Sequence, residues 1–201
     1  MNIPLKMLRS VVGLGLAAMA VFFPVAANAE FAIGDARAPV TLVEYASLTC
    51  GYCVRFHREV LPLIKSRHID TGRVRFVYRD LPTSMAAIRG AVAARCAGPQ
   101  QYFAMLDTLY SAAGIWSRER DVDAALIQYA ASLGLDRAAF RACLNNPQHA
   151  LSIDEEQQRA TNEHDVLVTP SFLINGKLVR GIRSIDEMDA LIEEALLRTR
   201  Q

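Results

Sequence analysis

Two cysteines separated by two residues stand where a strand-forming segment meets a helix-forming one. Residues 40–45 (VTLVEY) are apolar and rich in β-branched side chains apart from one acid, which predicts a buried strand. From Cys50 onward apolar residues return every three or four positions, which predicts an amphipathic helix that Pro62 should bend. Residues 74–78 (VRFVY) alternate as a second strand. The order strand, helix, strand predicts a parallel pair joined by a right-handed crossover.

After the second strand the pattern changes to alanine-rich helical segments, with breaks at Gly98, Gly114, Gly134 and Asn146. Helices are predicted at 85–96, 101–111, 122–133, 137–144 and 148–164. Two short runs around Asn175-Gly176 then predict a hairpin, and Ser184 with Glu187 predicts a capping box for a last helix that ends at residue 198. The predicted fold class is α/β, with a helical insertion at 84–163 dividing one small sheet domain into 30–83 and 164–201.

The first 29 residues have the pattern of a secretory signal peptide. Lys6 and Arg9 precede an uncharged run that ends in A-N-A at 27–29. The clearly apolar stretch, 11–23, is short for a membrane span, so cleavage after residue 29 is favoured over a retained anchor. We therefore expect export to the periplasm and no stable membrane insertion after cleavage. Disulfides persist in such a compartment.

The charge balance excludes some partner classes. The formal net charge of the whole chain is +1, and two of its cations lie in the predicted signal peptide. No excess of positive charge indicates binding to nucleic acid or to a membrane surface.

The motif Cys50-Gly51-Tyr52-Cys53 is predicted to be a redox centre. A cysteine at a helix N-terminus lies near unpaired backbone N–H groups, so we expect its thiolate to be favoured and its pKa to fall. The second sulfur lies one turn deeper and can close the ring. A thiolate of low pKa is a good leaving group, which makes the oxidised pair reactive.

Other uses of this motif fit the residues less well. A zinc site needs two more ligands, and only His57 stands near the motif. Haem attachment needs His directly after the second cysteine, where the chain has Val54. A purely structural disulfide over so short a loop would constrain little. We therefore predict neither a metal nor a cofactor.

The other two cysteines, Cys96 and Cys143, lie far apart in the sequence and both fall in the helical insertion. In an exported protein the simplest prediction is a structural disulfide between them. A second redox relay and two buried free thiols remain alternatives.

The chain resembles the DsbA-like thiol–disulfide oxidoreductases of the thioredoxin superfamily. The resemblance rests on VEYASLTCGYC, the helical insertion and VTPSFLING. It implies a thioredoxin-like fold with an inserted helical domain. It also implies a cis bond between Thr169 and Pro170, in a loop beside Cys50 and Cys53 that pairs with substrate backbone. Finally, it assigns to Glu44 the role of a buried acid that handles the proton of the inner thiol. The alternatives are an ordinary proline and a solvated Glu at a strand edge.

The pair between the cysteines departs from the best-known DsbA oxidases, which have Pro-His there. Gly51-Tyr52 resembles the motif of the isomerase DsbC, and Thr169 before the proline also fits that group. Because Tyr52 offers no positive charge to the thiolate, we expect a less oxidising centre.

The resemblance implies a periplasmic dithiol oxidase that acts on unfolded or partly folded exported proteins and is recharged by a DsbB-like, quinone-linked membrane oxidase. The alternatives are a disulfide isomerase or reductase kept reduced by another membrane partner, a non-enzymatic peptide-binding chaperone that uses the Pro170 loop, and a metal-handling redox protein. Four aromatic side chains are candidates for an apolar substrate surface: Tyr52, Phe56, Trp116 and Phe172.

Overall fold

A computed structural model describes residues 30–199, and the predicted signal peptide, 1–29, lies outside them. Within the described residues the strands are β1 (Ala32–Ile33), β2 (Val40–Ala46), β3 (Val74–Asp80), β4 (Ser171–Ile174) and β5 (Lys177–Arg180). They form one sheet in the order β1-β3-β2-β4-β5. β2 and β3 are parallel, and every other neighbouring pair is antiparallel. The predicted parallel pair is thus confirmed.

The crossover from β2 to β3 is a helix from residue 51 to residue 69 that changes its hydrogen bonding along its length. Its α-helical parts are α1 (Gly51–Arg55) and α2 (Leu61–Ile64), and its π-helical turns are Phe56–Val60 and Lys65–Ile69. Pro62 lies in the first turn of α2. Proline has no N–H to donate to the carbonyl four residues earlier, so regular α-helix cannot continue through it. In the turn before Pro62 the predicted departure from a straight α-helix takes the form of the π-helical turn Phe56–Val60.

The remaining helices are α3 (Met85–Cys96), α4 (Tyr102–Ser111), α5 (Ala113–Trp116), α6 (Val122–Ser132), α7 (Arg137–Leu144), α8 (Pro147–His164) and α9 (Ile185–Arg198). Six of them, α3 to α8, lie between β3 and β4 in the part of the chain that the structure describes. α9 has the predicted capping box of Ser184 and Glu187. None of the helices within 30–199 is both long enough and apolar enough to cross a bilayer.

Two elements differ from the prediction. β1 has only two residues, too few for any alternation of apolar and polar side chains to be recognised. Gly114 was predicted to break the chain, but it lies inside the short helix α5. A single glycine costs a helix only about 1 kcal/mol, which the buried side chains of Ala113 and Trp116 in the same helix can offset.

Alternation along β2 decides what each face of the sheet carries. Leu42, Glu44 and Ala46 are buried and project to one face, because side chains two residues apart share a face. The core on that face also contains Phe56 of the crossover helix and Met188 of α9. The opposite face carries a smaller cluster formed by Tyr45, Leu81, Ala160, Val166 and Leu173. Glu44 is therefore a carboxyl group directed into the main core.

Close packing around Gly90 joins the insertion to the segment before the first cysteine. A Cβ atom at residue 90 would lie 2.7 Å from Cη2 of Trp116 and 2.9 Å from Cδ1 of Leu48. Both side chains are almost fully buried, and the Trp116 indole N–H donates to the Leu109 carbonyl at 2.8 Å. Only glycine lets α3 approach Leu48 this closely.

We expect Gly90→Ala to lower the free energy of unfolding by about 1–3 kcal/mol, because the added methyl group overpacks two buried side chains. Gly114→Ala is the matched control, since that glycine is also helical and has open space around it. It should leave the stability unchanged or raise it by up to about 1 kcal/mol. Urea unfolding followed by circular dichroism measures both, and equal stabilities for the two variants would contradict this packing.

Candidate active site

The end of β2 and the start of α1 place the two cysteines at different depths. Cys50 is the N-cap of α1, with extended backbone (φ −79°, ψ 120°), and its carbonyl accepts from the Val54 N–H at 2.9 Å. Its side chain is partly exposed, whereas Cys53, one turn further on, is 0% exposed. Both are free thiols in this structure. The outer sulfur can therefore meet a substrate, and the inner one cannot.

Hydrogen bonding makes Cys50 acidic. The largest cause is the Cys53 thiol, which donates to the Cys50 sulfur and lowers the pKa of Cys50 to about 5. Burial opposes this shift, and hydrogen bonds from Thr169 and from the backbone N–H groups of Cys53 and Tyr52 add to it. The direction agrees with the sequence prediction, but the main cause differs. The backbone N–H groups of the helix N-terminus lower the pKa of Cys50 less than the hydrogen bond from the Cys53 thiol does. The strength of that hydrogen bond cannot be predicted from a sequence pattern.

The pKa of Cys53 is shifted the other way, far above its usual value. Its proton is held by the hydrogen bond to Cys50, burial disfavours its thiolate, and the negative charge of Glu44 repels that thiolate further. At neutral pH the reduced pair is thus one thiolate and one thiol.

The loop before β4 closes one side of the site. The Thr169–Pro170 peptide bond is cis. The sulfur of Cys50 lies 3.5 Å from the Thr169 carbonyl oxygen, a contact across 119 residues of sequence. The Ser171 hydroxyl donates to the Val168 carbonyl at 2.7 Å and so steadies the loop from within.

Hydroxyl groups fix the turn between β2 and Cys50. The Ser47 hydroxyl lies 2.9 Å from the Thr83 hydroxyl, and the Thr49 hydroxyl lies 3.0 Å from that of Ser84, the N-cap of α3. The Thr83 N–H also donates to the Ser47 hydroxyl at 3.2 Å. Sequence reasoning missed this network, because its two halves are 36 residues apart. It ties the active-site turn to the start of the insertion.

Glu44 is fully buried, as the resemblance implied, and it has a partner that the sequence analysis did not assign. Nε2 of His57 lies 2.8 Å from Oε2 of Glu44, and the two side chains are 3% and 0% exposed. His57 was considered only as a zinc ligand. The signal that could have found the pair is its spacing, because His57 follows Cys53 by four residues and shares its helix face.

The expected apolar substrate surface is wrong for three of its four aromatic side chains. Phe56, Trp116 and Phe172 are all 0% exposed and belong to the core. Tyr52 is 60% exposed, and three further exposed apolar side chains near the active-site turn were missed: Met85, Leu167 and Val168. Met85 directly follows Ser84, and Leu167 and Val168 precede Thr169 by two residues and by one. We call these four side chains the apolar rim.

The second cysteine pair lies away from the rim. Cys96, at the end of α3, and Cys143, in α7, are joined by a disulfide with a Cα–Cα distance of 5.8 Å. The His149 ring nitrogen Nε2 is 3.2 Å from the Cys143 sulfur. Among residues 30–199, Cys96, Cys143 and His149 are the only cluster of three or more His, Cys, Asp or Glu side chains whose ligand atoms lie close enough together to hold a metal ion. The two sulfur atoms of this cluster are bonded to each other in the disulfide.

Comparison with known proteins places this geometry in a family. A thioredoxin family model matches residues 26–194. A Rickettsia conorii protein assigned as a protein-disulfide oxidoreductase is 26% identical over 168 residues, covering 83% of this chain and 60% of that protein. The chain thus spans about 60% of the length of the curated relatives it matches first.

Two solved structures share the fold. The crystal structure of Wolbachia pipientis alpha-DsbA1 matches with a TM-score of 0.76 and 28% identity, covering 86% of this chain and 95% of that one. The oxidised BdbD from Bacillus subtilis matches with a TM-score of 0.75 and 21% identity, covering 83% and 92%. The predicted thioredoxin-like α/β fold and the resemblance to DsbA proteins are confirmed.

We expect Cys53→Ala to raise the pKa of Cys50 from about 5 toward that of an ordinary thiol, because the variant removes the hydrogen bond that lowers it most. Cys53→Ser is the matched control, since its hydroxyl can still donate and should keep the pKa of Cys50 low. The pH dependence of alkylation of Cys50 in the reduced protein measures both midpoints. A midpoint near pH 5 in Cys53→Ala would contradict the assigned cause.

Proposed function

The chain belongs to the thioredoxin family, and we propose that it is a periplasmic thiol–disulfide oxidoreductase of the DsbA type, working as a dithiol oxidase in the folding of exported proteins. One observation carries the proposal: a partly exposed Cys50 with a pKa of about 5 stands in front of a buried Cys53. A leaving thiolate of low pKa departs readily from a mixed disulfide, which favours giving disulfides away.

The order of the reaction steps follows from the partial exposure of Cys50 and the burial of Cys53. A substrate thiolate attacks the Cys50 sulfur of the oxidised protein, the Cys50–Cys53 bond breaks, and Cys53 leaves and takes up a proton. A second substrate thiolate attacks the substrate sulfur of the mixed disulfide, and Cys50 leaves as a thiolate. The substrate gains a disulfide and loses two electrons, which the protein now holds as the reduced pair. Cys50 needs no proton at neutral pH because its pKa is about 5.

Unfolded or partly folded exported proteins are the proposed substrates. The backbone of an extended segment would pair with the loop at Thr169 and Pro170, beside the Cys50 sulfur. The apolar rim would contact apolar side chains of the same segment, which folded proteins keep inside. Gly51 leaves open space in front of the motif, because a Cβ there would meet nothing within 4 Å.

A membrane partner would return the pair to the disulfide form. In the DsbA type this partner is a DsbB-like oxidase that passes two electrons to a quinone. The signal-peptide pattern of residues 1–29 supports work in the periplasm, and the Cys96–Cys143 disulfide supports an oxidising compartment. We assign that disulfide a structural role.

A disulfide isomerase or reductase is the second candidate, favoured by the residues between the cysteines. Gly51-Tyr52 puts no cation near the Cys50 sulfur, and Thr169 precedes the cis-proline as in the isomerase group. In this role another membrane partner would keep the pair reduced. A non-enzymatic chaperone would leave the acidic thiol of Cys50 without a use.

We expect the oxidised protein to transfer its disulfide to a reduced, unfolded substrate protein at neutral pH, and Cys50→Ser to transfer none, because that variant lacks the attacked sulfur. Loss of free thiols from the substrate, followed by alkylation and mass measurement, is the readout. An oxidised wild type that leaves the substrate reduced, or an active Cys50→Ser, would refute the proposal.

Two further measurements separate the oxidase from the isomerase. Alkylation of the protein directly in cells gives its resting state, which should be oxidised for an oxidase and reduced for an isomerase. Repair of scrambled disulfides by the reduced protein, faster than disulfide transfer by the oxidised protein, would favour the isomerase.

We expect Leu167→Ser to raise the KM for an unfolded protein substrate about three- to tenfold, because the variant removes apolar contact area at the rim. Its rate with glutathione disulfide should stay unchanged, since this small polar substrate has no apolar side chain to place on Leu167. Leu197→Ser is the matched control: this side chain is 60% exposed on α9, against 64% for Leu167. Equal KM values for the two variants would remove the rim from substrate binding.

A further inference from the structure

A carboxyl group and an imidazole share the core beneath the inner thiol. Glu44 of β2 and His57 of the first π-helical turn are joined by the 2.8 Å contact between Oε2 and Nε2. Because both side chains are shielded from solvent, no bulk water screens the pair. The charge of Glu44 reaches Cys53, whose pKa it raises. A change in the charge of this pair therefore changes the pKa of the Cys53 thiol.

Aromatic side chains hold the imidazole ring in one orientation. The Tyr110 ring stacks on it with a centroid distance of 3.8 Å and an interplanar angle of 18°. The edges of Tyr78 and Phe56 close two other sides, at 5.7 Å and 5.9 Å. A ring confined in this way keeps Nε2 on Glu44 rather than turning toward solvent.

The pair carries two buried polar atoms that have no hydrogen-bond partner among the described residues, Oε1 of Glu44 and Nδ1 of His57. Nδ1 of His68 is buried without a partner in the same way. What distinguishes the His57 pair is its place beneath the inner thiol, because the charge of Glu44 acts on Cys53.

We propose that His57 is a positioning residue for the redox reaction: it holds the Glu44 carboxylate and, together with it, stores the proton that Cys53 gains and loses. This inference rests on the proposed function, because it assigns a proton route to that same disulfide exchange. We call the pair loaded when it holds this proton, as an imidazolium beside a carboxylate. We call it unloaded when it has given the proton up, and His57 is then neutral and its Nε2–H group donates a hydrogen bond to the Glu44 carboxylate.

The proton balances in both directions. When a substrate thiolate opens the disulfide, Cys53 leaves with the electron pair of the S–S bond and takes one proton from the loaded pair. When the reduced protein is recharged, Cys50 first forms a mixed disulfide with the oxidant. Cys53 then returns its proton to the unloaded pair, attacks the Cys50 sulfur and expels the thiolate of the oxidant.

The neighbours of the pair suit this role. Burial raises the pKa values of Tyr78 and Tyr110 well above 10, so their hydroxyls, 2.8 Å apart, stay protonated and do not compete for the proton. Tyr102 behaves in the same way. Asp107 of α4 also faces this region: burial raises the pKa of its carboxyl, and the charges of His57 and Lys65 oppose that shift.

A chromogenic aromatic disulfide separates the two thiol steps in one experiment. Mixed with the reduced protein, it releases one coloured thiol when Cys50 attacks and a second when Cys53 closes the ring. We expect His57→Gln to slow the second release at least about tenfold and to leave the first unchanged, because glutamine can still donate to Glu44 but cannot store a proton.

His68→Gln is the matched control. Its Nε2 lies 2.7 Å from Oδ1 of Asp189, and its side chain is 4% exposed, so it forms the same kind of pair at the far end of the crossover helix. It should change neither release. Glu44→Gln should slow the second release as His57→Gln does, and the double variant should be no slower than the slower single variant, because the two residues act as one unit.

Three results would overturn the inference: an unchanged second release in His57→Gln, an unchanged second release in Glu44→Gln, or equal slowing in His68→Gln. If His57→Gln does not fold, which circular dichroism reveals, His57→Asn takes its place in the same comparison. The assay uses a small disulfide and no protein substrate. A wild type that fails to oxidise unfolded proteins would therefore refute the proposed function, and the second-release rates would still decide the role of His57.

Discussion

The parallel pairing of β2 with β3 is the constraint on which the site depends. Parallel strands need a crossover, and here the crossover is a helix that is separated from the end of β2 by four residues. The first turn of that helix therefore opens at the carboxyl end of a central strand, with Cys50 at its N-cap and Cys53 below the surface. β4 pairs with the other edge of β2, which brings the Thr169–Pro170 loop against the same turn.

The core beneath the cysteines accepts polar groups that an ordinary core would exclude. Glu44, His57 and the hydroxyls of Tyr78 and Tyr110 all lie among apolar side chains. Removing one member of such a set leaves the others unpaired in a medium of low dielectric, so the set is stable only as a whole. The resistance of Cys53 to ionisation depends in part on this environment, because burial and the charge of Glu44 both raise the pKa of that thiol. Stability and redox chemistry thus share the same few side chains.

Much of this arrangement could be predicted from sequence because its signals are local. The strand around Glu44, the helix after Cys50 and the five long helices of the insertion follow from periodicity and breaks, and the helices agree with the structure to within one residue at each end. Contacts between distant segments could not be predicted. The sequence around Phe172 allows this side chain to lie either at the surface or in the core. It is buried because β4 pairs with β2 in the middle of the sheet. The partner of Glu44 depends on the rotation of a helix interrupted by π-helical turns.

The two cysteine pairs follow each other along the chain without interleaving. Cys50 and Cys53 precede Cys96 and Cys143, so the two members of each pair are consecutive cysteines of the sequence. A chain that leaves a narrow channel N-terminus first presents its cysteines in the order in which they pair. Consecutive pairing needs no exchange between the two pairs, because both cysteines of the redox pair precede the third cysteine in the sequence. The order of the cysteines is thus compatible with closure of the Cys96–Cys143 bond without rearrangement.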